Sequence, residues 1–108
     1  MPDTPRWGLS VSDLAIIRSA LARNPRIRRV LLFGSRAKGN YRTGSDIDLA
    51  LVGDHLTRQD IVETSMTLNE ETPLPYRFDV VDRNHLENRD LTEHIDRIGQ
   101  ELYTRYAG

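Results

Sequence analysis

Residues 30–53 read VLLFGSRAKGNYRTGSDIDLALVG, and no other stretch constrains the fold as tightly. Ile27–Phe33 predicts one strand, apolar enough at Val30–Phe33 to be central in a sheet, and Asp46–Val52 predicts a second. The intervening GSRAKGNYRTGS is too long for a tight hairpin and predicts a short helical turn starting at Ser35. The second strand opens with Asp46 and Asp48. Side chains two apart on a strand leave the same face, roughly 7 Å apart along the chain. These two carboxylates therefore share one side, and Ile47, Leu49 and Leu51 face a core on the other.

The flanking segments supply helices. Ser10 or Ser12 can cap a first helix after a loose, proline-containing start; Leu14, Ile17 and Leu21 fall on its buried face, and Asn24-Pro25 ends it. Thr57 begins a second helix with Asp60 as capping-box partner, and Ile61, Val62, Met66 and Leu68 are expected on its buried side. TPLP breaks that helix, and Tyr76–Val81 reads as a third strand. A last helix is expected from about Asn88 to Tyr103, with Leu91, Ile95, Ile98 and Leu102 as its apolar seam. The order α-β-(turn)-β-α-β-α predicts an α/β fold, a small mixed sheet covered by helices, with residues 1–108 as one domain.

Composition narrows the function classes. The net charge of −1 argues against a general nucleic-acid binder, and no direct nucleic-acid binding is expected. Seven arginines and lysines nevertheless lie between Arg23 and Arg42 with no acid among them, a local basic stretch beside an acidic pair. No apolar run is long enough to span a bilayer and the N-terminus lacks a secretory h-region, so no membrane association is expected. The absence of cysteine removes disulfides and thiolate metal sites and fits a cytoplasmic location.

Two neighbouring carboxylates resist ionising together unless a cation lies between them, and oxygen ligands of this kind suit Mg²⁺ or Mn²⁺. Alone, an Asp-x-Asp at a strand start is more often a solvated polar edge than a metal site. A calcium loop is disfavoured, because Leu49, Ala50 and Leu51 stand where it needs further oxygens and a glycine. The upstream Gly34-Ser35 changes the balance: glycine lets backbone approach a phosphate, free N–H groups of the turn face an anion, and the Ser35 hydroxyl adds a donor. Antiparallel pairing of the first two strands would bring this bend beside Asp46 and Asp48. The Walker A alternative fails, since Asn40-Tyr41 stands where Lys-Ser/Thr is required, and no G-x-G-x-x-G occurs.

Gly34-Ser35, ten residues, then Asp46-Ile47-Asp48 matches the G-S-x₁₀-D-x-D signature, and the chain resembles the DNA polymerase β-like nucleotidyltransferases. Its size and GSRAKG resemble the minimal nucleotidyltransferase (MNT) branch, over nearly the whole length. The resemblance implies the polymerase β-like palm fold and a third carboxylate on a neighbouring strand. Within YRFDVVD that is Asp79, on the face opposite Phe78 and Val80, in preference to Asp82, which reads as a turn or cap residue. It further implies two-metal nucleotidyl transfer with Asp46, Asp48 and Asp79 as ligands of two Mg²⁺ ions (or Mn²⁺) and as the catalytic carboxylates. Gly34 and Ser35 would bind the nucleotide phosphates; Arg36, Lys38 and Arg42 are expected either to neutralise phosphate oxygens or to hold solvent-facing structural roles. His55, His85 and His94 read as loop, cap and surface residues.

Minimal members of this family are typically encoded with a helical HEPN-type protein, and several act as antitoxins that transfer AMP from ATP to a tyrosine of that toxin. The resemblance thus implies an ATP-dependent enzyme whose acceptor surface is supplied by a HEPN-like partner in a hetero-oligomer. The other classes are a small-molecule (antibiotic-type) nucleotidyltransferase subunit and a non-catalytic neutralising module. Tyr103 and Tyr106 are expected either at a partner interface or packed on the core.

Overall fold

The structure is a computed structural model and describes residues 4–105. Helix α1 (Val11–Ala22) begins at a capping box in which the Ser10 hydroxyl accepts from the Asp13 N–H and the Asp13 carboxylate accepts from the Ser10 N–H. Strand β1 (Arg29–Phe33) leads into the one-turn helix α2 (Ser35–Lys38), and β2 (Ile47–Val52) returns along it. Helix α3 (Arg58–Met66) starts at a second capping box, Thr57 with Asp60, and runs into a π-helical turn at Thr67–Glu71. Strand β3 (Phe78–Asp82), a 3₁₀ turn (Arg83–His85), α4 (Arg89–Ile98) and β4 (Gln100–Thr104) complete the order.

The sheet is mixed, in the order β3-β2-β1-β4. β1 pairs antiparallel with both β2 and β4, and α3 makes the crossover that lets β3 lie parallel to β2. One face of the sheet, with Val30, Leu32, Leu49, Leu51 and Phe78, packs on Leu14, Ile17 and Leu21 of α1 and on Leu68. The opposite face is covered more thinly: Phe33 and Ala50 meet Ile95 of α4, with Leu31, Val81 and Leu91 half-buried around them. The end of this second face that α4 leaves open carries the polar residues described below.

Four expectations are corrected. The last helix stops at Ile98, not Tyr103, and the chain reverses into β4. At Gly99 a side chain would collide with the Ile95 carbonyl, and the Gly99 N–H closes on that carbonyl at 2.8 Å. Beyond this glycine the free edge of β1 pairs with the returning chain, with a register shift between Val30 and Leu31 that leaves Leu102 without a paired residue, so Leu102 reaches the core (2% exposed) from a strand, not as the last step of a helical seam. Tyr103 also packs on that core; Tyr106 lies outside the described residues.

On α3, Val62 and Met66 are 44% and 49% exposed, not buried. The inward line is Asp60, Thr64 and Leu68, each four residues from the last, and Val62 and Met66 lie on the opposite side of that cylinder. Burial raises the Asp60 carboxyl, but hydrogen bonds from the Thr57 backbone and hydroxyl and from Asn24, with Arg26 nearby, outweigh it and hold it below the usual range. The start of the chain is not loose from Arg6 onward. Trp7 and Gly8, both with positive φ (57° and 75°), form a tight turn bridging Arg6 and Leu9, and the Trp7 indole N–H donates to Gln100 of β4 at 2.9 Å. The strands are also trimmed relative to expectation: β1 starts at Arg29, Asp46 stands just before β2, and β3 is displaced to Phe78–Asp82.

No helix among the described residues is long and apolar enough to cross a membrane. Because Leu102 fills the core from the edge strand, Leu102→Ala should cost about 2–5 kcal/mol of unfolding free energy. Urea denaturation followed by circular dichroism measures this; a loss below about 1 kcal/mol would contradict the buried strand position.

Candidate active site

The register of three strands places the acidic residues. Phe33 of β1 pairs with Asp48 of β2, and Asp48 pairs with Asp79 of β3. Paired residues project to the same face, so the Asp48 and Asp79 carboxylates stand side by side at the open end of the α4 face. Asp46, two residues earlier, shares that face just ahead of β2. Asp48 is half-buried, and Asp46 and Asp79 are exposed. Asp82 lies elsewhere: it pairs with Leu51, whose side chain is in the larger core, and so projects from the other face. Its carboxylate accepts from the Asn84 N–H at 3.1 Å and meets His85 Nδ1 at 2.7 Å, as a turn residue does.

Crowding of like charges has a measurable consequence. The Asp48 carboxyl is raised from 3.8 to about 6, first by burial, then by the charges of Asp79 and Asp46, with Arg36 opposing. A proton relieves this repulsion in acid; at neutral pH a hard cation would do so. Among the described residues no three acidic or histidine side chains close into a cage around an ion. The carboxylates instead form an open row, an all-oxygen donor set whose chemistry would suit Mg²⁺.

The bend before this row requires glycine twice over. Gly34 has φ 76° and ψ −154°, a region closed to residues with a side chain, and a Cβ there would strike Oδ2 of Asp48. The half-buried carboxylate thus lies against bare backbone. Ser35 opens α2, where the first internal bond is donated by Lys38 N–H to the Gly34 carbonyl at 3.1 Å. The amides of Ser35, Arg36 and Ala37 precede it and have no partner within the helix.

Two basic residues expected at the phosphates are placed differently from one another. Lys38 is exposed on the last turn of α2. Arg36 is 3% exposed and turned inward, its guanidinium held by backbone carbonyls, so it is not available to phosphate oxygens in this conformation. The physical reason is that the side chain one residue beyond Ser35 on a single helical turn faces the interior, where the Trp7 and Ser45 carbonyls and two aromatic rings receive it. Arg42 is exposed within the loop.

His94, expected on the surface, flanks the site. Its Nε2 accepts from the Gly34 N–H at 3.3 Å and its ring meets Phe33 edge-on at 6.1 Å. The Gly34 amide is therefore engaged by α4, and the anion-facing amides begin at Ser35. The only sequence signal was position: His94 lies next to Leu91 and Ile95 on the buried side of α4.

The raised Asp48 carboxyl fixes the sign of a pH effect. The folded state holds this proton more tightly than the unfolded chain, so stability falls as pH rises from about 4 to about 6 and the penalty is complete above that window. Asp48→Asn, which keeps the neutral form, should melt at a higher temperature than the parent at pH 7.5 without metal, and the gap should close at pH 4. Millimolar Mg²⁺ should raise the parent melting temperature at pH 7.5 and leave Asp48→Asn nearly unmoved; a parent indifferent to pH between 4 and 7 contradicts the crowded row.

Comparison with known proteins agrees with this geometry. The family model described as "Polymerase beta, Nucleotidyltransferase" matches residues 15–107. A Methanocaldococcus jannaschii protein is 35% identical over 66 residues, 61% of this chain and 59% of its own, and a Haemophilus influenzae protein, MntA, is 35% identical over 74 residues, 65% of this chain and 61% of its own. Both carry the provisional name protein adenylyltransferase, and the chain spans about 60% of the length of each. Among solved structures, a chain of a toxin–antitoxin crystal structure with AMP-PNP superposes at TM-score 0.70 and 26% identity, covering 86% of this chain and 74% of that one. A chain from the complex of a tri-AMPylated Shewanella oneidensis HEPN toxin with an MNT antitoxin superposes at 0.64 and 23% identity, covering 85% and 70%, a likeness of fold. With a match over residues 15–107, and with the acidic row and glycine bend of its site in place, the chain belongs to the polymerase beta nucleotidyltransferase family.

Proposed function

We propose that this protein is an antitoxin of the MNT type that transfers AMP from ATP to a tyrosine hydroxyl of a HEPN-type partner, releasing pyrophosphate. The observation that carries the reading is the Asp48–Asp79 pair set in register beside the Gly34-Ser35 bend, with Asp46 on the same face. It is supported by the provisional names of the two sequence relatives and by the AMP-PNP toxin–antitoxin structure. The cysteine-free composition is consistent with a cytoplasmic setting for such a pair.

Asp46, Asp48 and Asp79 are the residues that would hold two Mg²⁺ ions. When bound, the metal supplies positive charge at the phosphates and makes the acceptor hydroxyl more acidic. Ser35 and the leading amides of α2 bind the terminal phosphates and orient pyrophosphate as the leaving group. Asp79, exposed at the outer strand of the row, accepts the proton of the acceptor hydroxyl. The acceptor oxygen bonds to the α-phosphorus, the bond from that phosphorus to the bridging oxygen of pyrophosphate breaks, and the electron pair leaves with the pyrophosphate. The shallow, exposed flank beside Asp79 is where the partner would present its tyrosine, which makes a hetero-oligomer the working assembly.

The test is incubation with ATP labelled in the adenosine moiety, Mg²⁺ and the protein encoded beside this one. Label should appear on tyrosine of the partner, and Asp46→Asn or Asp79→Asn should lower the rate by at least about a hundredfold, the scale of losing several kcal/mol of charge stabilisation. Label recovered only in a small molecule would replace the protein acceptor with an antibiotic-type one. Neutralisation of the partner that survives both substitutions, without any transfer, would make the protein a binding module.

A further inference from the structure

We infer that Arg36 is a positioning residue: it straps the phosphate-binding bend to the acidic row and thereby sets the distance between them. The inference rests on the site reading above, and it starts from a side chain that reading does not use. Arg36 directly follows Ser35, and Ser45 directly precedes Asp46. The guanidinium spans the neck of the loop between them. Nε and Nη2 both donate to the Ser45 carbonyl, at 3.2 and 2.8 Å, and Nη1 donates to the Trp7 carbonyl at 2.8 Å. Its carbon lies 5.3 Å from the centre of the Tyr41 ring and 5.1 Å from that of Tyr76, so two aromatic faces hold it in plane.

The loop itself holds the neck weakly. Gly39 and Gly44 both have positive φ and open space around them, and Arg42–Ser45 is a local turn closed by the Ser45 N–H to the Arg42 carbonyl at 3.0 Å. Nothing in the outer loop reaches from Ser35 to Asp46. The strap does, and it is anchored at its rear: Tyr76 donates to Asp13 of the α1 capping box at 3.0 Å, and Trp7 is tied through Gln100 to the Ala37 carbonyl. A buried cation paired only with neutral carbonyls is costly to keep, and a packed apolar residue would serve stability as well. What an apolar residue would not supply is a flat, forked donor that fixes two separate segments at once, together with positive charge felt at Asp48. Lysine is a poor substitute for the same reason, since a point donor cannot bridge both carbonyls and lie between two rings.

The experiment compares Arg36→Lys with Leu102→Ala, a core control that makes no bond in the strap, by amide hydrogen exchange on the full chain. In Arg36→Lys, protection should fall at least tenfold at Lys38–Asn40, whose amides close on the Gly34 and Ser35 carbonyls, and at Ser45 and Ile47 together, while Leu14–Leu21 of α1 stay near the parent value. Loss spread evenly over the chain, as expected for Leu102→Ala, or loss at Lys38–Asn40 alone with Ser45 and Ile47 unchanged, overturns the inference. Should Arg36→Lys not fold, Tyr41→Leu removes one of the two rings and should loosen the same two segments to a smaller degree; loosening of only its own loop overturns the inference. Where the parent transfers nucleotide, kcat of Arg36→Lys should drop at least tenfold and by more than KM for ATP rises, since a displacement of about 1 Å at reacting groups suffices for that. An unchanged kcat in a folded variant overturns it. A parent that transfers nothing counts against the proposed function, and the exchange pattern still decides the strap.

Discussion

A half-buried carboxylate in register with a second one, pressed against a glycine backbone, is the constraint around which this molecule is arranged. Asp48 sits where Phe33 on one side and Asp79 on the other fix its place in the sheet. Water cannot fully solvate it, and its neighbours repel it, so its carboxyl is raised to about 6. A sheet tolerates such a group only if the strands on both sides are held firmly enough to forbid a slip of register, since a shift by one residue would send every apolar side chain of β2 to the wrong face. That firmness comes from Ile47, Leu49 and Leu51 on the opposite face, all fully buried against α1 and the end of α3.

The two faces of the sheet are accordingly divided in labour. The face under α1 and α3 carries most of the buried apolar residues, while α4 covers the other with a much smaller cluster. A thin cover leaves the end bearing Asp46, Asp48 and Asp79 open to ligands. It also sets His94 against Gly34 and Phe33, so that even the small helix contributes to holding the bend. The positive-φ glycine and the crowded acid of the candidate site persist because the surrounding packing over-determines them.

The helix caps, the buried line of α1, the two central strands and the mixed α/β character were legible because each follows from local rules: a capping residue with its partner three positions on, an apolar stripe, a period of two. The pairing of β1 with β2 entered the sequence reading only as a condition, which the sheet register meets, and the match to the family signature pointed to Asp79 on β3. What failed did so for tertiary reasons. Leu102 fits a helical seam by spacing alone, and only the unpaired edge of β1 makes Gln100–Thr104 a strand. Val62 and Met66 are apolar by type, yet the direction from which the sheet approaches α3 buries Asp60 and Thr64 instead.

The sequence by itself determined the kinds of group available at the site and their order along the chain, because glycine, serine and aspartate have chemistry that no fold alters. The tertiary structure decided which of them meet. Asp79 and Asp82 are equally acidic and three residues apart, and strand parity alone puts one beside Asp48 and the other behind the sheet. Arg36 and Lys38 are both cations on one turn of helix, and the approach of the Trp7 and Ser45 carbonyls turns one inward and leaves the other in water. Proximity across the sheet is set by packing that sums over the whole chain, and no local stretch carries that sum.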